Sequence, residues 1–360
     1  MVWITGGGTG GHLFPALNIA LELARRHPSL SMHYIGAARG LEATRVPLSG
    51  LRHTLLPVAG DLRRGARERA SFYGRLGRSL WQCERLFRRT RPRLLIGTGG
   101  YASFPAAQVA LWHGVPLLWQ EQNAEPGQVT RRVAPRASCI FAGFAGLAKS
   151  LPGANVVYTG NPVPGDIASG DRWRGRRTGG FGADDTVMLV LGGSGGARSI
   201  NQAVARVWQL LNQKAGLRIW WQIGQREYEH WTGTISPELF GGTMTPFIDR
   251  MADAYAAADF VVARAGAMTT AEICAAGKPA IFIPFPFAAL DHQTRNAMAL
   301  VQSGAALMVR DQDLESEKLV ESILDLAGDA TLRVRLAASA RRIGRPGALS
   351  DIVDRVEAYL

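Results

Sequence analysis

The sequence predicts an α/β fold: two doubly wound, parallel-sheet domains that face each other across a cleft. Three observations predict it. Short apolar runs alternate with stretches of helical spacing along the whole chain, and strand–helix alternation means parallel sheets. An apolar run ends in a knot of glycines twice, about half a chain apart, at Gly6-Gly7-Gly8-Thr9-Gly10-Gly11 and at Gly192-Gly193-Ser194-Gly195-Gly196. The length of 360 residues favours two domains over one.

In the first half, strands are expected at 2–5, 32–35, 94–96, 116–119, 139–141 and 156–158. In the second they are expected at 187–191, 219–223, 244–247, 260–263 and 280–284. Helical spacing marks 16–26, 199–215 and 269–276. The polar, Gly- and Arg-rich segment 165–185 separates the halves and reads as a linker, so the domains are expected at 1–164 and 165–360. Residues 313–360 read as terminal helices broken by Gly344-Arg345-Pro346-Gly347, and the last helix could pack back on the N-terminal domain.

Hydrophobic residues make up 47%, enough for sizeable cores. No apolar run approaches the roughly 18–20 residues of a membrane span, and no secretory pattern precedes the first strand. Cys83, Cys139 and Cys274 lie far apart without metal-ligand spacing; buried thiols in a cytosolic protein are expected, and no metal site. The net charge of +12 is unevenly placed. Residues 1–164 hold 20 Lys+Arg against 7 Asp+Glu, whereas residues 165–360 hold 21 against 22. Such asymmetry points to a polyanionic partner, nucleic acid or an anionic membrane.

Much of the excess lies in 61–93, where 11 arginines face Asp61, Glu68 and Glu84. Phe72, Leu76 and Leu80 recur every four residues there, with Trp81 beside them and Arg75 and Arg78 interleaved. A helix of that pattern suits an anionic bilayer surface. It also suits an ordinary helix with its apolar side on the core and its arginines in water. No basic-aromatic recognition motif appears, so nucleic acid is not an expected partner.

Glycine lets backbone N–H groups approach a ligand closely, and a helix N-terminus favours negative charge, so both glycine knots are candidate anion cradles. The first fits G-x-G-x-x-G, but the second strand ends in Ile35-Gly36-Ala37-Ala38-Arg39, without the carboxylate a dinucleotide ribose needs. The lysine of an ATP-binding P-loop is also missing. His12 follows the loop at a helix start, where an imidazole could serve as a general base near neutral pH. The second knot fits the G-x-S-x-G elbow of hydrolases. Adjacent Asp291-His292 cannot easily supply both remaining triad members, and a Ser194 hydroxyl bound to phosphate is the simpler use. In Arg264-Ala265-Gly266-Ala267-Met268-Thr269-Thr270-Ala271-Glu272 a threonine caps the expected helix. Glu272 then falls in about its first turn, as a surface acid suited to the helix dipole or as an acceptor of ribose hydroxyls. Asp291-His292-Gln293 forms a polar loop after the next strand.

The two knots together with Gly97-Thr98-Gly99-Gly100-Tyr101, Glu121-Gln122-Asn123, Gly160-Asn161-Pro162-Val163, Phe247-Ile248-Asp249, Arg264-Ala265-Gly266-Ala267 and Asp291-His292-Gln293 resemble the MurG family. These are the UDP-N-acetylglucosamine–N-acetylmuramyl-(pentapeptide) pyrophosphoryl-undecaprenol N-acetylglucosamine transferases of bacterial peptidoglycan synthesis. The motifs stand in family order over nearly the whole chain. The resemblance implies a GT-B architecture, two Rossmann-like domains with the active site between them. It implies inverting transfer of N-acetylglucosamine from UDP-N-acetylglucosamine to the C4 hydroxyl of lipid I, giving lipid II. The donor side would comprise Ser194, the loop amides of Gly193, Gly195 and Gly196, Ile248 on the uracil, Arg264 and Ala267. Glu272 would hold the ribose, and Gln293 and Asn123 the sugar. The acceptor side would comprise Thr9, Gly10, Gly11 and Tyr101. His12 is the expected base and Glu121 the alternative. No tightly bound cofactor is expected, and free Mg2+ could assist. The enzyme would work peripherally at the cytoplasmic face of the membrane, with other cell-wall synthesis proteins as further partners.

Three positions depart from the family pattern: Pro164 stands for arginine, Gly195 for glutamine and Gln120 for histidine. The first two remove side chains expected near the donor nucleotide. The competing readings are another UDP-sugar-dependent GT-B enzyme, either a glycolipid glycosyltransferase or an epimerase, and a non-catalytic nucleotide-sugar-binding module.

Overall fold

The computed structural model describes residues 1–58, 66–193 and 195–360. They form two compact units, Met1–Val163 with Gly347–Leu360, and Pro164–Pro346.

The first unit runs β1 (Val2–Thr5), α1 (Gly10–Arg26), β2 (Met32–Ala37), α2 (Glu42–Leu48), β3 (His53–Leu56), α3 (Ala66–Thr90), β4 (Leu94–Gly97), α4 (Phe104–Trp112), β5 (Leu117–Glu121), α5 (Gln128–Val133), β6 (Cys139–Ala142) and β7 (Val156–Tyr158). Among the described residues its seven strands form one parallel sheet in the order β3-β2-β1-β4-β5-β6-β7. Val2 lies opposite both Met32 and Leu94. The inner strands are buried on both faces, which explains their unbroken apolar sequences. Alternate residues feed two cores. Trp3, Leu95 and Leu117 pack with Cys83, Phe87 and Val109 from α3 and α4. Val2, Ile4 and Leu118 pack with Leu13 and Leu17 of α1 and with Ile352, Val353 and Val356. Those last three belong to the chain's final helix.

The second unit runs α6 (Arg172–Gly179), β8 (Val187–Leu191), α7 (Arg198–Ala215), β9 (Arg218–Gln222), α8 (Tyr228–Thr234), α9 (Pro237–Phe240), β10 (Thr243–Thr245), α10 (Met251–Ala257), β11 (Phe260–Ala263), α11 (Ala267–Ala275), β12 (Ala280–Phe282), α12 (His292–Gln302), β13 (Leu307–Met308), α13 (Glu317–Gly328) and α14 (Ala330–Ile343). Its described strands form a parallel sheet ordered β10-β9-β8-β11-β12-β13. The last helix, α15 (Ala348–Glu357), returns to the first unit. There Arg26 reaches Asp354 at 2.5 Å and Ser350 at 2.7 Å.

Segment 165–185 is not a plain connector. Asp171 caps α6 by accepting from Arg174 N at 2.9 Å, and Gly180 ends it in the left-handed region at φ 68°. Arg174 makes a two-pronged pair with Asp253 of α10 at 2.6 and 2.7 Å. The buried Arg176 donates to the carbonyls of Gly182, Ala183 and Asp185 and to Asp259. The arginines that look solvated in sequence tie this segment into the second unit.

Two short strands, β3 and β13, were not expected. Both lie at a sheet edge and are only partly buried. Ladder bonds to one neighbour define them, because no run of buried side chains does. Cys83, Cys139 and Cys274 are free and buried. No helix among the described residues is long and apolar enough to cross a membrane.

Helix α3 realises most of the basic segment, while 61–65 lies outside the described residues. Its apolar stripe is divided. Leu80 packs against the core beside Cys83 and Phe87, which corrects its expected place on an outward face. Phe72 and Leu76 are half-buried. Trp81 and Tyr73 face solvent at 59% and 56% exposure, with the Arg85 guanidinium 5.6 Å from the Trp81 ring centre. Trp112, at the end of the packed helix α4, is equally exposed at 59%.

Candidate active site

Ligands of open parallel sheets sit beyond the carboxyl ends of the strands, at the point where the strand order reverses. In the first unit that point lies between β1 and β4, and in the second between β8 and β11. The sequence motifs occupy both places: 6–11 follows β1, 98–101 follows β4, 192–197 follows β8 and 264–266 follows β11.

In the first unit, His12 is the third residue of α1 and is half-buried. Its Nδ1 lies 2.8 Å from Thr98 O and 3.0 Å from Gln122 Oε1. A carbonyl oxygen only accepts, so Nδ1 carries a proton, and in the neutral ring Nε2 is the basic nitrogen. Among the described residues Nε2 has no partner. Thr98 grips the same residue again, its Oγ1 donating to His12 O at 2.6 Å. The shelf under the ring is glycine by necessity. Gly100 has φ 78°, and a Cβ there would come within 1.8 Å of Gly7 O and 3.0 Å of the His12 ring.

The amides of Thr9, Gly10 and Gly11 take no acceptor among the described residues, so the start of α1 offers an anion three N–H groups. Gly8 differs, because its N–H donates to Glu42 Oε1 at 2.5 Å. Tyr101 lies on the other side of the loop, with its ring 2.4 Å from where a Gly8 Cβ would stand. Burial, then the Glu42 charge, pushes the Tyr101 phenol above its usual range.

Glu121, the alternative base, has another role. It is buried, with Oε1 accepting from Asn123 N at 3.0 Å and Asn123 Nδ2 at 3.1 Å. Its Oε2 accepts from Gly127 N and Thr130 Oγ1. With four donors on it, the carboxylate organises the Asn123 loop and has no free lone pair facing an acceptor hydroxyl. Gln120, at the departure from histidine, donates to Asn161 Oδ1 at 3.1 Å and links β5 to the 160–163 motif.

In the second unit, the loop after β8 turns tightly, with Gly196 N donating to Gly193 O at 3.0 Å. Gly196 has φ 78°, and a Cβ there would lie 2.2 Å from Ile223 O. A Cβ at Gly195 would meet nothing within 4 Å, so the missing glutamine is a lost contact toward solvent or ligand and leaves no hole in the packing. Ser194 lies outside the described residues. Ile248 is buried in the loop after β10.

Arg264 does not present a free cation. Its guanidinium donates to Asp311 Oδ1 at 2.5 Å, Ser199 Oγ at 2.7 Å and the carbonyls of Ile283 and Pro284, and it lies 5.4 Å from the Phe285 ring centre. These bonds brace the loops around the switch point. The N-cap of α11 is Gly266 rather than a threonine, which places Ala267 first in the helix and Glu272 in the second turn. Glu272 is half-buried and accepts from Tyr255 Oη at 3.0 Å. Desolvation raises its carboxyl to about 7, against which the Tyr255 bond acts. Gln293 accepts from Phe285 N through Oε1 at 3.0 Å, and its amide NH2 is left to donate. Among the described residues no group of three His, Cys, Asp or Glu side chains is placed to hold a metal ion.

Thr98, Gln122, Glu42 and Tyr255 are site residues that sequence reasoning did not single out. Thr98 and Gln122 stand inside quoted motifs, whereas nothing local marks Glu42 or Tyr255.

Residues 2–142 match the glycosyltransferase family 28 N-terminal domain and residues 187–343 the glycosyltransferase family 28 C-terminal domain. With two parallel sheets carrying motif loops at both switch points, these matches define a hexosyltransferase of GT-B architecture. The UDP-N-acetylglucosamine--N-acetylmuramyl-(pentapeptide) pyrophosphoryl-undecaprenol N-acetylglucosamine transferase of Moorella thermoacetica is 38% identical, covering 98% of this chain and 97% of its own. That of Chlorobaculum parvum is 40% identical, covering 99% and 98%. The crystal structure of MurG from Acinetobacter baumannii superposes with a TM-score of 0.79 at 25% identity, covering 99% of each chain. The chain belongs to this family of N-acetylglucosamine transferases within glycosyltransferase family 28.

Proposed function

We infer that the chain transfers N-acetylglucosamine from UDP-N-acetylglucosamine to the C4 hydroxyl of the N-acetylmuramyl unit of lipid I, with inversion, giving lipid II. The observation that carries the chemistry is the His12 ring, with Nδ1 bonded to Thr98 O and its Nε2 lone pair unengaged beside a glycine loop. The acceptor oxygen bonds to the anomeric carbon while its proton passes to His12 Nε2. The bond from the anomeric carbon to the diphosphate oxygen breaks, and its electron pair leaves with UDP. The glycine loop after β8 and the start of α7 receive that charge. Glu272 holds the ribose and Gln293 donates to the sugar. Mg2+ enters the proposal only as a free ion accompanying the diphosphate.

Purified chain supplied with radiolabelled UDP-N-acetylglucosamine and lipid I in micelles is expected to give a glycolipid one N-acetylglucosamine larger. Epimerisation of the UDP-sugar without acceptor, or nucleotide-sugar binding without turnover, would overturn the reading.

The acceptor is lipid-linked, and we place the enzyme peripherally on the cytoplasmic face of the membrane. Exposed Tyr73, Trp81 and Trp112 with the arginines of α3 support this, as an aromatic and cationic surface suited to anionic headgroups. Each arginine near such a surface is worth about 1 kcal/mol. Changing Arg78, Arg85 and Arg89 together to glutamine should therefore lower partitioning onto phosphatidylglycerol vesicles by about 100-fold. Equal co-sedimentation of the native chain with neutral and anionic vesicles would rule the surface out.

A further inference from the structure

We propose that Glu42 is a positioning residue of the transfer site, holding the first glycine loop in the shape that seats His12; this rests on the function inferred above. Glu42 opens the short helix α2 and is only 1% exposed. No cation pairs with it among the described residues, and its hydrogen bond there comes from Gly8 N–H at 2.5 Å. Its partner is the backbone of the glycine loop and not a cation, so what this carboxylate holds is that loop.

Glu42 bears on the part of the loop that touches the His12 shelf. A Cβ on Gly7 would lie 2.0 Å from Glu42 Oε1, so the carboxylate fills the space beside that residue. Gly7 N donates to Gly99 O at 3.4 Å, and Gly7 O packs against Gly100. Gly99 and Gly100 face the His12 ring, with sites for a Cβ 3.0 Å from Nδ1 and from Cδ2. From the other side Tyr34 Oη donates to Gly6 O at 2.6 Å. The loop is thus pinned at Gly6 by a phenol and at Gly8 by a carboxylate, and the shelf under the base rests on the residue between them.

The bond also divides the loop's donors. Gly8 N–H is occupied by the protein's own anion, while the amides of Thr9, Gly10 and Gly11 remain for the acceptor diphosphate. The fixed charge of Glu42 sets the edge of that anion site.

Two variants and two readouts test the assignment. Glu42→Gln keeps an oxygen that can accept from Gly8, whereas Glu42→Ala removes it. The transferase assay should show Glu42→Ala with kcat lowered about 10- to 100-fold and donor KM within twofold, and Glu42→Gln within about threefold of the native rate. Independently of turnover, 15N spectra of histidine-labelled full chain, with the His12 signal assigned through His12→Ala, should report the Nδ1–H tautomer in the native chain and in Glu42→Gln. In Glu42→Ala the signal should move toward averaged tautomers. An unchanged His12 signal in Glu42→Ala would overturn the positioning role, whatever reaction the enzyme catalyses. Equal loss of rate in both variants together with loss of UDP binding would also overturn it, by showing a general folding defect. Native chain that shows the tautomer shift on mutation but transfers no sugar would instead count against the inferred function alone.

Discussion

Replacing His12 by alanine is expected to lower kcat by about 10²- to 10⁴-fold, the range for loss of a general base, with donor KM little changed. The expectation follows from which nitrogen is free. Thr98 O and Gln122 Oε1 keep a proton on Nδ1, so in the neutral ring the lone pair lies on Nε2. No rearrangement is needed before it can take a proton. His12→Asn separates this role from packing. Its amide could still donate to Thr98 O, but it offers no basic nitrogen, so it should be as slow as alanine. Steady-state rates with lipid I at saturating donor are the measurement, and either variant at near-native kcat would remove His12 as the base. Glu121 cannot substitute, because Asn123, Gly127 and Thr130 already donate to its carboxylate.

Glu272→Ala is expected to weaken UDP binding by about 10- to 100-fold, since hydrogen bonds to a charged group contribute about 1.5–3 kcal/mol. Calorimetry with UDP reads this directly, and unchanged affinity would remove the ribose contact. The same residue predicts a pH dependence. Desolvation holds its carboxyl near 7, so it is neutral in mildly acid solution and ionised above neutrality. If Glu272 holds the ribose, its ionised form accepts the hydroxyls more strongly, so native affinity for UDP should rise with pH through about 7. In Glu272→Gln it should stay flat there. Stability moves the opposite way. Between the ordinary value of 4.5 and about 7 the folded chain binds more protons at this site than the unfolded chain, so this group's contribution to stability falls as pH rises. Thermal unfolding at pH 8 should accordingly find the second unit of Glu272→Gln at least as stable as the native one. A flat pH profile of UDP affinity in the native chain would refute the titration.

The bracing role of Arg264 has a physical reason. Arg264 stands beside the switch point, as its sequence position after β11 indicates, but Asp311 and Ser199 approach it from segments 47 and 65 residues away. A cation bonded to a carboxylate, a hydroxyl and two carbonyls ties together loops that the sequence leaves far apart. The apolar stripe of α3 divided for a similar reason. Period-four spacing places Phe72, Leu76 and Leu80 along one side of α3, but the packing of α4 decides how much of that side is covered. Leu80 falls against the core, and the outward aromatics are Tyr73 and Trp81.

By itself the sequence determined the architecture and the loops that stand at its switch points. Parallel strands covered on both faces must be apolar throughout, so most of them are visible as short runs. Tight turns between strand and helix require glycine, so the loops at the switch points are visible as glycine knots. What only the tertiary structure decided is which atoms in those loops are free. The edge strands β3 and β13, the folding of 165–185 onto Asp253, the His12 tautomer, and the contact of Glu42 with Gly8 across 34 residues all depend on long-range hydrogen bonds. Hydrophobic periodicity records which face of an element is buried. A hydrogen bond between distant loops leaves no such period, because it depends on where the backbone folds back and on which donors are already engaged.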